Sequence, residues 1–339
     1  MIEVTDFGIA PNGEKIELFT FRNKNGVTAK ITNYGGILSS LKLPLENEER
    51  EVVLGFDSLE EYTNADYLAN YPYFGALIGR YGNRINRGRV SYNGEEIQLP
   101  CNHDIHLLHG GFSGFDQKVW KAEILNETDL KLSYLSPDGE ENFPGNVELE
   151  VVYRLTDEDE LQVHYLARTD KTTPINLTQH SYFNLSGGKE NILNHELQVD
   201  SDYILETNDS LIPSGKLLEV SNTPFDFRKQ KPFNQDIEEI ENYDDCFAFE
   251  QITEAPRKVA ELSEKVSNIR MEIATTFPGL QVYTGKYIDV NGKKEFKAFD
   301  GVAIEAQGYP DAPNHPHFKH GWLHPGEVYK HQTNYKFKF

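Results

Sequence analysis

The chain has 339 residues, 38% hydrophobic and 12% aromatic, which is enough apolar surface for a packed core and too much for a disordered chain. Lys and Arg total 33 against 54 Asp and Glu, and the resulting formal net charge of -21 repels phosphate backbones and anionic lipid, so nucleic acid and membranes are excluded as expected partners. Two cysteines, Cys101 and Cys246, make no disulfide framework, the N-terminal stretch MIEVTDFGIAPNGEKIE has neither a basic segment nor an apolar core, and no apolar run reaches the ~18 residues of a membrane helix; these features predict a cytoplasmic protein.

Along the chain the dominant signal is period-two alternation. Asn25-Gly26 is the first of three Asn-Gly pairs, with Asn93-Gly94 and Asn291-Gly292, each between strand-like runs and each predicting a type I′ hairpin, because both residues tolerate positive φ. Residues 57–64 (DSLEEYTN) predict a brief helix. Val147, Leu149, Val151, Tyr153 and Leu155 alternate with Glu148, Glu150 and Arg154, then Leu161, Val163 and Tyr165 with Gln162 and His164, predicting half-buried antiparallel strands. Residues 231–264 are the most acidic stretch and read as a solvated face, with a second brief helix over 256–264 (PRKVAELSE). Ile269, Met271 and Ile273 alternate with Arg270 and Glu272 as a further strand. No linker or repeat interrupts the pattern, so the expected fold is mostly β, a single large antiparallel β-sandwich over 1–339 with few short helices.

Five polar segments break the strand pattern. In 74–89 (FGALIGRYGNRINRGR) the arginines Arg80, Arg84, Arg87 and Arg89 offer donor forks that suit vicinal hydroxyls or a carboxylate, or simply neutralise nearby acids. GALIGRYG lacks the GK[ST] or GxGxxG of a phosphate loop. In 101–111 (CNHDIHLLHGG) His103, His106 and His109 stand beside Cys101; zinc binding or a thiol nucleophile is conceivable, but Gly110-Gly111 points to a loop and no zinc or protease signature is present. In 174–185 (PINLTQHSYFNL) His180 lies among Asn176, Thr178, Gln179, Tyr182 and Asn184, either a structural imidazole or one in a lined pocket. In 242–247 (NYDDCF) Asp244 and Asp245 must point opposite ways on a strand, one to a site and one to solvent. In 300–311 (DGVAIEAQGYPD) Glu305 follows the apolar run Val302, Ala303, Ile304, a costly place for a carboxylate without a partner or a task. Downstream, His315, His317, His320 and His324 share an irregular, proline-broken loop whose spacing matches no zinc signature.

Taken together, GRYGNRI at 79–85, LHGG at 108–111, NLTQHSYFNL at 176–185, TPFDFR at 223–228, PGLQVYTG at 278–285 and IEAQGYPDAPN at 304–314 resemble, in order and over essentially the whole chain, the aldose 1-epimerase (galactose mutarotase) family. The resemblance implies a β-sandwich of the galactose mutarotase type that interconverts the anomers of free aldoses such as D-galactose and D-glucose, with no cofactor and no metal. It places the general base on Glu305 and the general acid on His180, with Arg84, His109 and Asp244 binding the sugar's hydroxyls. Asn83, Asn176, Gln281, Tyr283 and Gln307 are further pocket candidates. The implied partner is a small-molecule monosaccharide, and the implied assembly a monomer or homodimer.

The sequence departs from the family at one place: a Gly-Tyr-Asp-His run reads Asn242-Tyr243-Asp244-Asp245 here, and His103 and His106 stand where Asn and Gly are commoner. Rival readings are a glycoside hydrolase, which needs two placed carboxylates where the motifs supply one, a non-catalytic carbohydrate-binding module, and a relative acting on a phosphorylated hexose.

Overall fold

The alternating runs do form strands in the computed structural model, which describes residues 2–249, 253–318 and 321–339. Val147–Leu155 pairs with Asp129–Ser136 and with Glu160–Thr169, and its odd-numbered residues Val147, Leu149, Val151, Tyr153 and Leu155 are all buried while Glu148, Glu150 and Arg154 are exposed. Ile269–Thr275 repeats the pattern. These strands belong to a nine-stranded sheet running in the order Lys121–Ile124, Asp129–Ser136, Val147–Leu155, Glu160–Thr169, Tyr329–Lys338, Ile269–Thr275, Arg257–Glu264, Glu196–Val199 and Lys231–Pro232, every pair antiparallel.

Two further sheets cover the inner face of this one. A five-stranded sheet carries the N-terminal strands Glu3–Ile9, Lys15–Arg22, Thr28–Thr32, Leu38–Pro44 and Glu49–Glu51. A six-stranded sheet has the order Tyr182–Phe183, Val302–Gln307, Gly279–Tyr283, Asp244–Ala248, Tyr203–Thr207 and Pro213–Glu219. One apolar cluster joins all three, with Phe21 and Leu41 from the first, Tyr153, Val163 and Met271 from the second, and Leu280, Val302 and Ile304 from the third. This is the sheet-on-sheet packing expected of a mostly β chain, with three short α-helices among the described residues, Leu59–Thr63, Ala65–Asn70 and Ile237–Ile240.

Three local expectations need correction. Residues 257–264 are not a helix but the strand Arg257–Glu264, buried at Val259, Ala260, Leu262, Ser263 and Glu264; a bulge between Lys258 and Ala260 breaks its alternation, which made the sequence resemble a helical turn. Of the three Asn-Gly pairs, Asn93-Gly94 forms the two-residue hairpin with both φ positive, 50° and 83°. Gly26 alone is left-handed in its pair and closes a longer turn in which its N–H donates to Asn23, while neither Asn291 nor Gly292 is left-handed. The brief helix expected within 57–64 is present as Leu59–Thr63.

We propose that this shared core unfolds as one unit. Ile304→Ala, which empties a fully buried position between the six- and nine-stranded sheets, is expected to cost about 2–5 kcal/mol in urea unfolding while leaving a single transition. Two separated transitions would show that the sheets are independent.

Candidate active site

Strand Val302–Gln307 is buried on both faces, which is why its sequence reads as an apolar run broken by a carboxylate and an amide. Val302, Ile304 and Ala306 belong to the central core, so Ala303, Glu305 and Gln307 face the other way. The register carries this face across the sheet: Glu305 lies opposite Gln281, Gln281 opposite Cys246, and Asp244 opposite Tyr283. The Gln281 amide donates to Asp244 Oδ1 at 2.7 Å, tying two neighbouring strands together beneath the site.

His180 reaches the same place from a different element. Thr178–His180 pairs with Ala76–Ile78, and after Ser181 the chain enters the six-stranded sheet through Tyr182–Phe183, paired with Val302 and Ala303. His180 Nε2 then stands 3.5 Å from Glu305 Oε1, both side chains buried. That separation exceeds a formed hydrogen bond, as is common for catalytic contacts before substrate binds. His109 arrives through the pairing of Leu107–Leu108 with Arg84–Ile85. Its ring Nδ1 accepts the Asn83 N–H at 3.1 Å, which leaves the ring proton on Nε2, and its own N–H donates to the Asn83 carbonyl at 3.2 Å. Gly110 follows with φ 89°, and a Cβ there would meet the Gly79 carbonyl oxygen at 2.0 Å; the loop therefore closes on Gly79 only if this residue is glycine.

These groups line a cleft of about 770 Å³, with Glu305, His180, His109, Arg84, Asn83, Asp244, Tyr283 and His103 among its wall residues. Arg84 is the one Lys or Arg among them, its guanidinium 3.9 Å from Asp244. Burial pushes the Glu305 carboxyl well above its ordinary range, Asp244 adds to this, and Arg84 opposes it. Burial also lowers His180 to about 4 and holds His109 well below the usual imidazole range, with the His180 and Arg84 charges adding to the latter effect. Both shifts favour the uncharged forms, a protonated Glu305 and a neutral His180. An ionised Glu305–His180 pair would hold the same single proton and differ only in which group carries it. Buried Glu305 Oε2, His180 Nδ1 and Arg84 Nε have no hydrogen-bond partner among the described residues.

Glu305, His180, Arg84, His109, Asn83, Asp244 and Tyr283 all come together at the cleft. Gln281 sits just behind it. Asn176 does not line it: its amide clamps the Gly82 and Gly308 carbonyls and accepts the Gly308 N–H at 2.8 Å. Gln307 is fully buried on the same face as Glu305 but outside the cleft wall. Arg80 is turned away, its guanidinium spent on the carbonyls of Ser136, Pro137, Pro144 and Gly145 and on Ser136 Oγ. Asp245 corrects the expectation of a solvent-facing partner for Asp244: its face of the strand is the inter-sheet side, burial and the neighbouring Asp244 raise its carboxyl to about 7, and it accepts the Asp244 N–H at 3.1 Å. His315 and His317 pack on Phe318 away from the cleft, and His320 lies outside the described residues. Tyr182, named beside His180, lines the cleft as well; sequence reading missed the rest of the aromatic wall, Tyr71, Tyr73, Phe112 and Tyr287, for which the run Tyr71-Pro72-Tyr73-Phe74 was the one visible signal.

The sequence profile of the family described as aldose 1-epimerase matches residues 17–336. The chain is 37% identical to galactose mutarotase of Mus musculus over 99% of both chains, and 33% identical to aldose 1-epimerase of Escherichia coli over 97% of both. Its fold is similar to the crystal structure of a galactose 1-epimerase from Lactobacillus acidophilus, with a TM-score of 0.86 at 27% identity, covering 100% of this chain and 98% of that one.

The raised Glu305 carboxyl carries a stability consequence. Above its ordinary value of 4.5 the unfolded chain has released a proton that the folded chain keeps, so stability falls as pH rises through that window. Glu305→Gln removes the titration, and its Tm is expected to exceed that of the wild type at pH 7 and to lose the advantage below about pH 4.5. A variant less stable than wild type at pH 7 would contradict the burial argument.

Proposed function

The chain belongs to the aldose 1-epimerase family, and from that premise we propose how it acts: it interconverts the α and β anomers of free aldoses such as D-galactose and D-glucose, with Glu305 as general base and His180 as general acid. The observation that carries the reading is the buried Glu305–His180 pair, 3.5 Å apart on the cleft wall, each with a second polar atom left unpartnered.

Anomer exchange asks for little beyond two proton transfers. Glu305 takes the proton of the C1 hydroxyl as the C1–O5 bond breaks, and His180 gives its proton to the ring oxygen, leaving an open-chain aldehyde. Rotation about C1–C2 presents the other face of the carbonyl. The O5 hydroxyl then adds to it, returning its proton to His180 while Glu305 returns its own to O1. The neutral and the ionised pair hold the same single proton, so one internal transfer converts one into the other, and the polar groups of an entering sugar favour that transfer by solvating both charges.

The other end of the cleft is suited to hydroxyl recognition. Arg84 and Asp244 face each other with free donor and acceptor capacity, and the neutral His109 carries its proton on Nε2. A single guanidinium opposed by a carboxylate favours a neutral sugar over a phosphorylated one. The substrate on this reading is a free monosaccharide. Both cysteines are unpaired, in keeping with a reducing compartment, and among the described residues no helix is long and apolar enough to cross a membrane.

The test is polarimetry on freshly dissolved α-D-galactose with spontaneous mutarotation subtracted. Glu305→Gln and His180→Asn are each expected to lower kcat by about 10²–10⁴-fold, the usual contribution of a positioned proton-transfer group. Near wild-type rates in both would remove the pair from the mechanism.

A further inference from the structure

Asp116 is buried at 3% exposure in the short 3₁₀ turn Phe115–Gln117, and no cation forms an ion pair with it among the described residues. A carboxyl group in such a place is costly to desolvate. What it does hold is the hydroxyl of Tyr71, which donates to Asp116 Oδ2.

Tyr71 is a wall residue of the cleft. It ends the helix Ala65–Asn70 with φ 39° and ψ 67°, and Tyr73, two residues on, also lies in the left-handed region at φ 58°. Two bulky residues in that conformation on either side of Pro72 do not hold it on intrinsic preference, so neighbouring contacts must fix it. The Tyr71 hydroxyl makes the one side-chain hydrogen bond of residues 71–73 among the described residues. From Tyr71 the contact passes inward: its ring centroid is 4.5 Å from that of Tyr73, and the Tyr73 ring lies 4.7 Å from His109 and 5.8 Å from His180. A side chain outside the cleft thus anchors the aromatic surface that touches the acid and a hydroxyl-binding imidazole.

We propose that Asp116 is a positioning residue: by holding Tyr71, and through it Tyr73, against His109 and His180, it fixes the aromatic wall that receives the apolar C–H face of the aldose and sets its C1–O5 edge between Glu305 and His180. The inference rests on the functional reading above. A sugar ring presents C–H groups on one face and hydroxyls at its edge, and an aromatic wall facing Arg84, Asp244 and Glu305 matches that division. A wall free to swing would offer its face less firmly to the bound sugar and to the transition state alike, weakening binding while leaving the chemical step little changed.

The experiment compares wild type, Tyr71→Phe, Asp116→Asn and the double variant, with KM and kcat for α-D-galactose determined separately by polarimetry and Tm by thermal unfolding. Tyr71→Phe keeps the ring and deletes only the donor; Asp116→Asn keeps an acceptor oxygen. Each is expected to raise KM by roughly threefold to tenfold, the effect of losing or weakening one charge-assisted hydrogen bond, with kcat within about twofold of wild type. The double variant is expected to be no worse than the more affected single one, since both remove the same link. A purely structural Asp116 would lower Tm and leave KM unchanged, and that result in folded Tyr71→Phe overturns the inference even where Asp116→Asn fails to fold. An active wild type with an unshifted Tyr71→Phe sinks this inference alone, whereas a wild type that never accelerates mutarotation overturns the functional reading and the inference with it.

Discussion

Everything at the cleft depends on burying one carboxyl group. Glu305 sits at 2% exposure on a strand covered on both faces, and among the described residues no cation lies at ion-pair distance other than what His180 becomes on accepting a proton. Desolvation disfavours either charge alone, whereas an ionised carboxylate and imidazolium arise together by transfer of a proton over a few ångströms. The same desolvation that lowers the protein's stability near neutral pH raises the carboxyl and lowers the imidazole, so neither group holds its charge strongly against transfer.

The sandwich supplies that environment through register. Three neighbouring strands place Asp244, Gln281 and Glu305 on one face, while Phe247, Leu280, Val282, Val302 and Ile304 enter the common core on the other. A one-residue slip would exchange the two sets, and the interior packing of the apolar set is what forbids it. Onto this rigid floor other segments bring the remaining groups: His180 ends the short strand Thr178–His180 paired with Ala76–Ile78, Arg84 begins the strand Arg84–Ile85, and His109 comes from the loop after Leu107–Leu108, closed by Gly110. Catalytic chemistry thus stands on strands, and hydroxyl recognition is shared with loops.

Much of this was legible in the sequence, for identifiable reasons. Val147–Leu155 has one wet face, so its alternation shows, and Glu305 was conspicuous because a charged residue ended an apolar run. Strand Arg257–Glu264 was hidden because its bulge breaks the alternation and Ser263 and Glu264 are buried polar residues, which no period-two reading anticipates. Asn176 belongs to a polar motif, yet its amide is consumed by the Gly82 and Gly308 backbone; motif membership does not separate a group that touches substrate from one that holds the loops around it. The Tyr71–Asp116 contact joins residues 45 positions apart, and it became visible only when the turn carrying Asp116 was folded against the left-handed Tyr71.

The central claim, that Glu305 and His180 hold a single proton between them in the resting enzyme, is tested most directly by the pH dependence of kcat/KM for anomer exchange, which reports the free protein. The rate should be level through neutral pH, fall on the acid side near 4, where a second proton enters at His180, and fall on the alkaline side only well above the ordinary carboxylate range, where the shared proton is lost. A bell confined between the ordinary carboxylate value of 4.5 and the ordinary imidazole value of 6.5 would contradict it, because it would mean that both groups titrate as if they stood in water.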